Sequence, residues 1–264
     1  MTDQPVPDIR PDVPHGARIW NYWLGGKDNY AADREIADAV SAVFPEIVDM
    51  AFKSRQFLTR AVRFLAGEAG IRQFLDIGTG LPTMQNTHEV AQSVTPEAKI
   101  VYVDNDPLVL AHARALLVNT TPEGVTEYIN ADYHQPERIV EQAREILDFS
   151  QPIAVLFMGV FGYVPDYDEA RSIISRVVDA VPSGSYLALW DGTSTSEAVV
   201  RGAQAQGELG SPYALRTVDE IRGWFAGTEL VEPGVVPVTL WRPADVEVGQ
   251  AEHIDAYCGV GRKP

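Results

Sequence analysis

Three short segments set small and acidic residues directly after apolar runs, and each offers a different chemistry. FLDIGTGLPT holds Asp76 within its run and follows it with Gly78, Thr79 and Gly80, a turn whose missing side chains let backbone amides come close to a ligand. Asp76 itself has two open roles, contact with that ligand or bonding to the amides of its own turn. IVYVDNDP ends its run at Asp104 and Asn105. Asp104 lies 26 residues beyond Gly78, near the spacing at which an acid accepts hydrogen bonds from ribose hydroxyls. INADYHQP ends at Asp132, whose carboxylate can accept from an exocyclic amino group, beside Tyr133, whose ring can lie on a purine. Met158 closes a fourth run, PIAVLFM.

A dinucleotide fingerprint needs a third glycine three residues after Gly80. That position is Thr83, and Pro82 sits where a helix N-terminus would meet a pyrophosphate, so nicotinamide cofactors are disfavoured. The pattern describes an adenosine whose 5′ substituent is not a phosphate, and S-adenosylmethionine fits. Its ammonium would meet the carboxylate-lined turn, and its sulfonium gains from aromatic faces and carbonyl oxygens.

Other constellations carry less. Arg18 and Tyr22 are four apart and share a face if helical, so a guanidinium fork for the methionyl carboxylate and a tyrosine closing over the sulfonium are expected from them. LGGKDNY is not a phosphate loop, since the first glycine of that pattern falls at Asn21 and Asp28 follows Lys27. Gly25 and Gly26 instead break the helix, letting Asn29 and Tyr30 cover the pocket. His88 lacks the second histidine of a zinc helix, position 92 being Gln, and is expected on a helix surface. DNDP lacks the later Gly and Glu of a calcium loop, and GTSTSEA lacks the spacing of a hydrolase elbow, so neither a metal nor a serine nucleophile is expected. His134, Tyr163 and Asp191, near strand ends, are the candidates for a base.

The elements that must position these groups follow from apolar periodicity. Residues 1–14 carry Pro5, Pro7, Pro11 and Pro14 and read as a flexible arm. Residues 15–70 read as a helical lid segment, with one apolar stripe from Glu46 to Glu68 and a stop at Gly70. Residues 71–264 read as the cofactor-binding core: apolar runs QFLDI, KIVYVD, VTEYIN, PIAVLFM and SYLALWD alternate with helices starting at Pro107, Pro136 and Asp166. Runs of that kind, covered on both faces, form a doubly wound, mostly parallel α/β sheet. Beyond Asp191 a helix in GTSTSEAVV, a short helix in TVDEIRG and strands near TELVEP and IDAYCGV are expected.

FLDIGTGLPT, IVYVDNDP and INADYHQP resemble the first three motifs of Rossmann-type S-adenosylmethionine-dependent methyltransferases. With ARIWNYWLGGKDNYAADRE and the ending YCGVGRKP, the chain from Arg18 onward is similar to an actinobacterial family of methyltransferases formerly carried as a domain of unknown function. The resemblance implies a seven-stranded sheet in which the last strand, IDAYCGVGRK, runs antiparallel between the fifth and sixth. It matches Gly78, Gly80, Asp104 and Asp132 to the general motifs, and Pro82 departs from them. It also implies in-line methyl transfer to an acceptor that it does not name.

Charge narrows the acceptor. With 21 Lys and Arg against 37 Asp and Glu the net charge is −16, which repels polyphosphates and anionic lipid, so a small-molecule or protein acceptor is expected over nucleic acid or a membrane. The lone Cys258 forms no internal disulfide and reads as a small buried hydrophobe, and no apolar stretch spans a bilayer, so a cytoplasmic protein is expected. The insertion from Gly192 to Arg216 and the lid should shape the acceptor pocket. A regulatory protein that holds S-adenosylmethionine without turnover is the alternative from another class.

Overall fold

The computed structural model describes residues 9–82, 85–116, 118–243 and 254–264. Most of the proline-rich arm, residues 1–8, and Thr83 lie outside them. The chain begins with three helices, α1 (Gly16–Trp23), α2 (Ala31–Val43) and α3 (Ile47–Gly67). Then β1 (Gln73–Ile77), α4 (Thr87–Val94), β2 (Lys99–Asp104), α5 (Pro107–Leu116), β3 (Val125–Asn130), α6 (Pro136–Ala143) and β4 (Ala154–Met158) alternate. After them come α7 (Tyr167–Ala180), β5 (Tyr186–Gly192), α8 (Glu197–Glu208), α9 (Val218–Gly223), β6 (Glu229–Leu230), β7 (Val236–Pro237) and β8 (Ala256–Arg262).

The strands form one sheet in the order β3-β2-β1-β4-β5-β8-β6, with β7 also on β8. The first five strands are parallel, and β8 runs antiparallel to β5, β6 and β7. The antiparallel strand between the fifth and sixth is as the resemblance implies, with the sixth position divided into the two short pieces β6 and β7.

Alternate residues of the central strands feed two cores, the pattern of a sheet covered on both faces. Leu75, Ile77, Val101, Val103, Val155 and Phe157 pack with α6, α7 and α9. Phe74, Ile100, Tyr102, Leu156 and Trp190 pack on the other face with α1, α2, α3 and α4. The N-terminal helices therefore belong to the layer that covers one sheet face. Cys258 is fully buried there, as expected. His88 is not on a surface: α4 turns it against β2, where its amide and Nδ1 lie 2.8 and 2.9 Å from the Tyr102 hydroxyl. The phenol end of a buried tyrosine needs a polar partner, and His88 supplies it.

α7 shows how locally some elements are specified. Asp166, extended at φ −77°, accepts at Oδ1 from the Glu169 amide at 2.8 Å, while Ala170, Ile173, Ile174 and Val177 form the buried stripe. Asp166→Ala is expected to lower stability by about 1 kcal/mol, read as a lower urea midpoint with an unchanged slope; an unchanged midpoint would remove this cap from the account.

Candidate functional site

The carboxyl ends of β1, β2, β4 and β5 open into a cavity of about 310 Å³ roofed by α1. This is where an open parallel sheet presents its ligand. The floor is the turn after β1. Gly78 and Gly80 have φ of +73° and +68°, which residues with a Cβ adopt rarely. A Cβ on Gly78 would come within 2.5 Å of Val160, whereas one on Gly80 would make only an ordinary contact with Ala17 Cβ, at 3.8 Å. Gly80 thus leaves room between floor and roof. The turn is tied to β2, with the Gly78 and Thr79 amides donating to Val103 O at 2.8 and 3.2 Å.

Asp104 fastens the same turn. Its Oδ2 accepts from Gly80 N at 2.8 Å and its Oδ1 from Asp106 N at 3.0 Å, and burial raises its pKa against the pull of those amides. Each oxygen keeps a lone pair for a further donor. Asp76 is 3% exposed and accepts from Thr87 Oγ1 at 2.6 Å. Burial pushes its pKa up to about 6, the Thr87 bond and the Arg55 charge opposing the shift. Arg55, from α3, lines the same cavity and donates to Gln85 O at 3.4 Å. Burial lowers its pKa, with Asp76 the largest opposing charge. The cavity therefore holds a guanidinium and a carboxylate in electrostatic reach of each other beside the glycine turn.

Of the residues expected at the site, Gly78, Thr79, Gly80, Asp104, Asn105, Tyr133 and Met158 line the cavity. Arg18, Tyr22 and Asp132 do not. The face of α1 turned inward carries Gly16, Ala17, Trp20 and Asn21, with Leu24 after them at its C-cap, which leaves Arg18 and Tyr22 on neighbouring stripes of the helix. Tyr22 Oη donates to Asp38 at 3.0 Å. Arg18 donates to Arg10 O at 3.2 Å and Val13 O at 2.6 Å, with Nε 3.7 Å from Asp33 and 3.6 Å from Asp106, so it anchors the arm and roof. Asp132 closes its own turn by accepting from His134 N at 2.9 Å. Asn29 and Tyr30 do not cover the cavity either. Asn29 bonds Asn21 Oδ1 at 3.0 Å, and the Tyr30 ring lies under the Arg18 guanidinium, 5.4 Å from ring centre to Cζ.

Among the three candidate bases, His134 pairs with Glu169 at 2.9 Å on the surface, away from the cavity lining. Asp191 is fully buried. It accepts from the Phe161, Gly162 and Gly192 amides at 2.8, 3.2 and 2.8 Å and from Tyr213 Oη at 2.5 Å. Burial raises its pKa to about 6, the Tyr213 bond opposing the shift first. Tyr163 does line the cavity, and burial raises its pKa to about 12. The insertion contributes Ser211 and Tyr213 to the cavity wall. His15 and Arg55 are lining residues that sequence reasoning missed. His15 caps α1 by accepting from the Ala17 amide at 3.3 Å, with Nδ1 3.0 Å from Asp106 Oδ2. Arg55 sits in the polar run KSRQ, where nothing local separates it from a solvated lysine. Among the described residues no cluster of ligands suited to a metal occurs.

A family model described as S-adenosyl methyltransferase matches residues 2–264. The chain is similar to a DUF574 family protein from Streptomyces avermitilis, at 44% identity over 97% of this chain and 100% of that one, with a TM-score of 0.92. It is similar also to a candidate methyltransferase from Thermobifida fusca, at 42% identity over 95% of each chain and a TM-score of 0.85. The N-methyltransferase NodS from Bradyrhizobium japonicum, in complex with S-adenosyl-L-homocysteine, shares the fold at 13% identity over 88% of this chain and 97% of that one, with a TM-score of 0.50. No curated protein matches.

The Asp76 environment gives a signed pH effect. Its folded pKa of about 6 lies above the ordinary 3.8, so the folded state holds the extra proton and stability falls as pH rises from about 4 to 6. The loss is roughly 3 kcal/mol at 1.36 kcal/mol per unit. Asp191, raised to about 6 as well, adds a fall of the same sign. Asp76→Asn is therefore expected to reduce the fall between pH 4 and pH 7 by roughly 3 kcal/mol rather than abolish it, measured by urea unfolding at both pH values; an equally steep fall in the variant would show that the Asp76 carboxyl is not among its sources.

Proposed function

This chain belongs to the S-adenosyl methyltransferase family and is an S-adenosylmethionine-dependent methyltransferase, and from that premise we propose which of its groups hold the cofactor and what it methylates. The donor set suits the ligand. A sulfonium with an α-amino-acid tail and a ribose requires hydroxyl acceptors, an acid for the ammonium, a cation for the carboxylate, and aromatic faces without a cation near the sulfur. Asp104, Asp76, Arg55, and the group of Trp20, Trp190 and Tyr163 meet those needs within one cavity.

In this reading Asp104 accepts from the ribose hydroxyls, already oriented by its two amide bonds. Gly78 and Gly80 let the cofactor lie on the backbone, and Tyr133, with Asn105 beside Asp104, borders the purine. Arg55 binds the methionyl carboxylate, the part first expected of Arg18, and Asp76 faces the ammonium. The single observation that carries this assignment is that Arg55 and Asp76 share the cavity with the glycine turn and Asp104. S-adenosylmethionine supplies an activated methyl on a good leaving group, so the protein's task is to align the acceptor and exclude water. α1, closing over the glycine turn, serves the second purpose. The net charge of −16 supports a small-molecule or protein acceptor over nucleic acid, and a single buried cysteine supports the cytoplasm. Among the described residues no helix is long and apolar enough to cross a membrane.

Calorimetry with two ligands separates the two ends of the site. Asp104→Ala is expected to weaken both adenosine and S-adenosylmethionine by about 1 to 3 kcal/mol. Arg55→Met should weaken S-adenosylmethionine at least about tenfold and leave adenosine, which has no carboxylate, unchanged. Equal losses for both ligands in the Arg55 variant would sink that assignment.

A further inference from the structure

The cavity is electrostatically divided. Its charged lining groups, Arg55, Asp76 and Asp104, with His15 beside them, come from α3, β1, β2 and the start of α1. The wall past the ends of β4 and β5 is formed by Met158, Val160, Tyr163, Trp190 and Tyr213, with Trp20 above, and carries no charge. Its rings are held in place. Trp190 lies against Gly159, where a Cβ would come within 2.5 Å of the indole, and Trp20 sits 5.4 Å from Trp190 with the planes 33° apart. Tyr213 lies against Gly162 and meets Tyr163 edge to face at 5.1 Å. Past Trp20, Tyr163 and Tyr213 an apolar crevice of about 30 Å³ continues between α2, α3 and α8.

A charged acceptor against this wall would lose its hydration without gaining a partner, and a peptide would leave backbone amides and carbonyls unpaired. A flat, neutral ring would bury its faces between indole and phenol rings. A chain of polar groups leads out of the wall from Tyr213 to Asp191, and the three backbone amides on Asp191 fix its carboxylate behind the tyrosine.

Resting on the cofactor reading above, we propose that the methyl acceptor is a small uncharged hydroxyaromatic compound whose hydroxyl proton leaves through Tyr213 to Asp191. The acceptor oxygen gives a lone pair to the transferred methyl as its O–H bond breaks. That proton bonds to Tyr213 Oη, and the proton already on Tyr213 passes along the 2.5 Å hydrogen bond to the Asp191 carboxylate. The departing methyl leaves its bonding pair on sulfur, so charge balances. Tyr213 is the catalytic residue here, and Asp191 acts through it. The elevated proton affinity of Asp191 suits it to receive a proton near neutral pH.

The test uses the full chain loaded with S-adenosylhomocysteine, confirmed by calorimetry, and follows quenching of tryptophan fluorescence by phenol and catechol, with benzoate, phenyl phosphate and cyclohexanol as controls. Phenol or catechol should saturate the signal and bind at least tenfold more tightly than every control. With S-adenosylmethionine, catechol or phenol should release S-adenosylhomocysteine. Tyr213→Phe should lower kcat at least tenfold, a larger factor than the weakening of the fluorescence-derived Kd that follows from losing one hydrogen bond. Asp191→Asn, with native circular dichroism, should lower kcat at least tenfold with the Kd within twofold of the parent. Loaded protein that binds neither phenol nor catechol, binds the charged controls as well, releases no product, or retains full kcat in Tyr213→Phe overturns the proposal. Failure of S-adenosylhomocysteine itself to bind would instead overturn the cofactor reading.

Discussion

The carboxylate of Asp104 joins parts of the chain that would otherwise be independent. One oxygen holds the amide of Gly80, in the turn after β1, and the other holds the amide of Asp106, at the start of α5. Burying a charge is costly unless donors meet it, and here both donors are backbone groups. Asp106 extends the chain of contacts, accepting from the Leu108 amide at 2.7 Å and facing His15 and Arg18 of the roof. Arg18 in turn approaches Asp33, which accepts from the His15 and Tyr30 amides at 2.9 and 2.8 Å. A continuous polar seam thus runs from the floor of the cavity to its roof. Acids and bases alternate along it, while Arg55 and Asp76 lie apart from it in the cavity lining.

That seam explains the division of labour on α1. A helix laid over a cavity shows it one stripe, and the small residues Gly16 and Ala17 with Trp20 occupy that stripe. Gly16 is closely packed, since a Cβ there would come within 2.5 Å of the Tyr163 ring. Arg18 lies on the stripe that faces the seam, where its guanidinium meets Asp33 and Asp106 outside the cavity lining.

Much of this was legible in the chain itself. Five parallel strands, the long stripe of α3, the Asp166 cap and the antiparallel strand ending at Arg262 all follow from patterns within a few residues or from the resemblance. The glycine turn and Asp104 could be placed because parallel strands deliver their carboxyl ends to one edge. What failed depended on rotation and tertiary packing. Helical spacing puts Arg18 and Tyr22 on related faces but does not say which face meets the ligand. An acid after a strand looks the same whether it meets a purine or, like Asp132, closes its own turn. His88 reads as a helix-surface residue, and Arg55 gives no signal of its own, because their surroundings come from Tyr102 and from the cavity, distant in sequence.

β8 lies between elements that precede it in the chain, and among the described residues β6 and β7 pair with it alone. While the polypeptide emerges from the ribosome, the side of β5 that β8 will cover, Tyr186–Gly192, therefore stays open until Ala256–Arg262 arrives. Translation adds about 5 to 20 residues per second, so that wait lasts on the order of seconds. An unpaired strand of mostly buried, apolar residues is a template for a neighbouring nascent chain. That edge of the sheet is thus open to a wrong partner during biosynthesis, until β8 completes it.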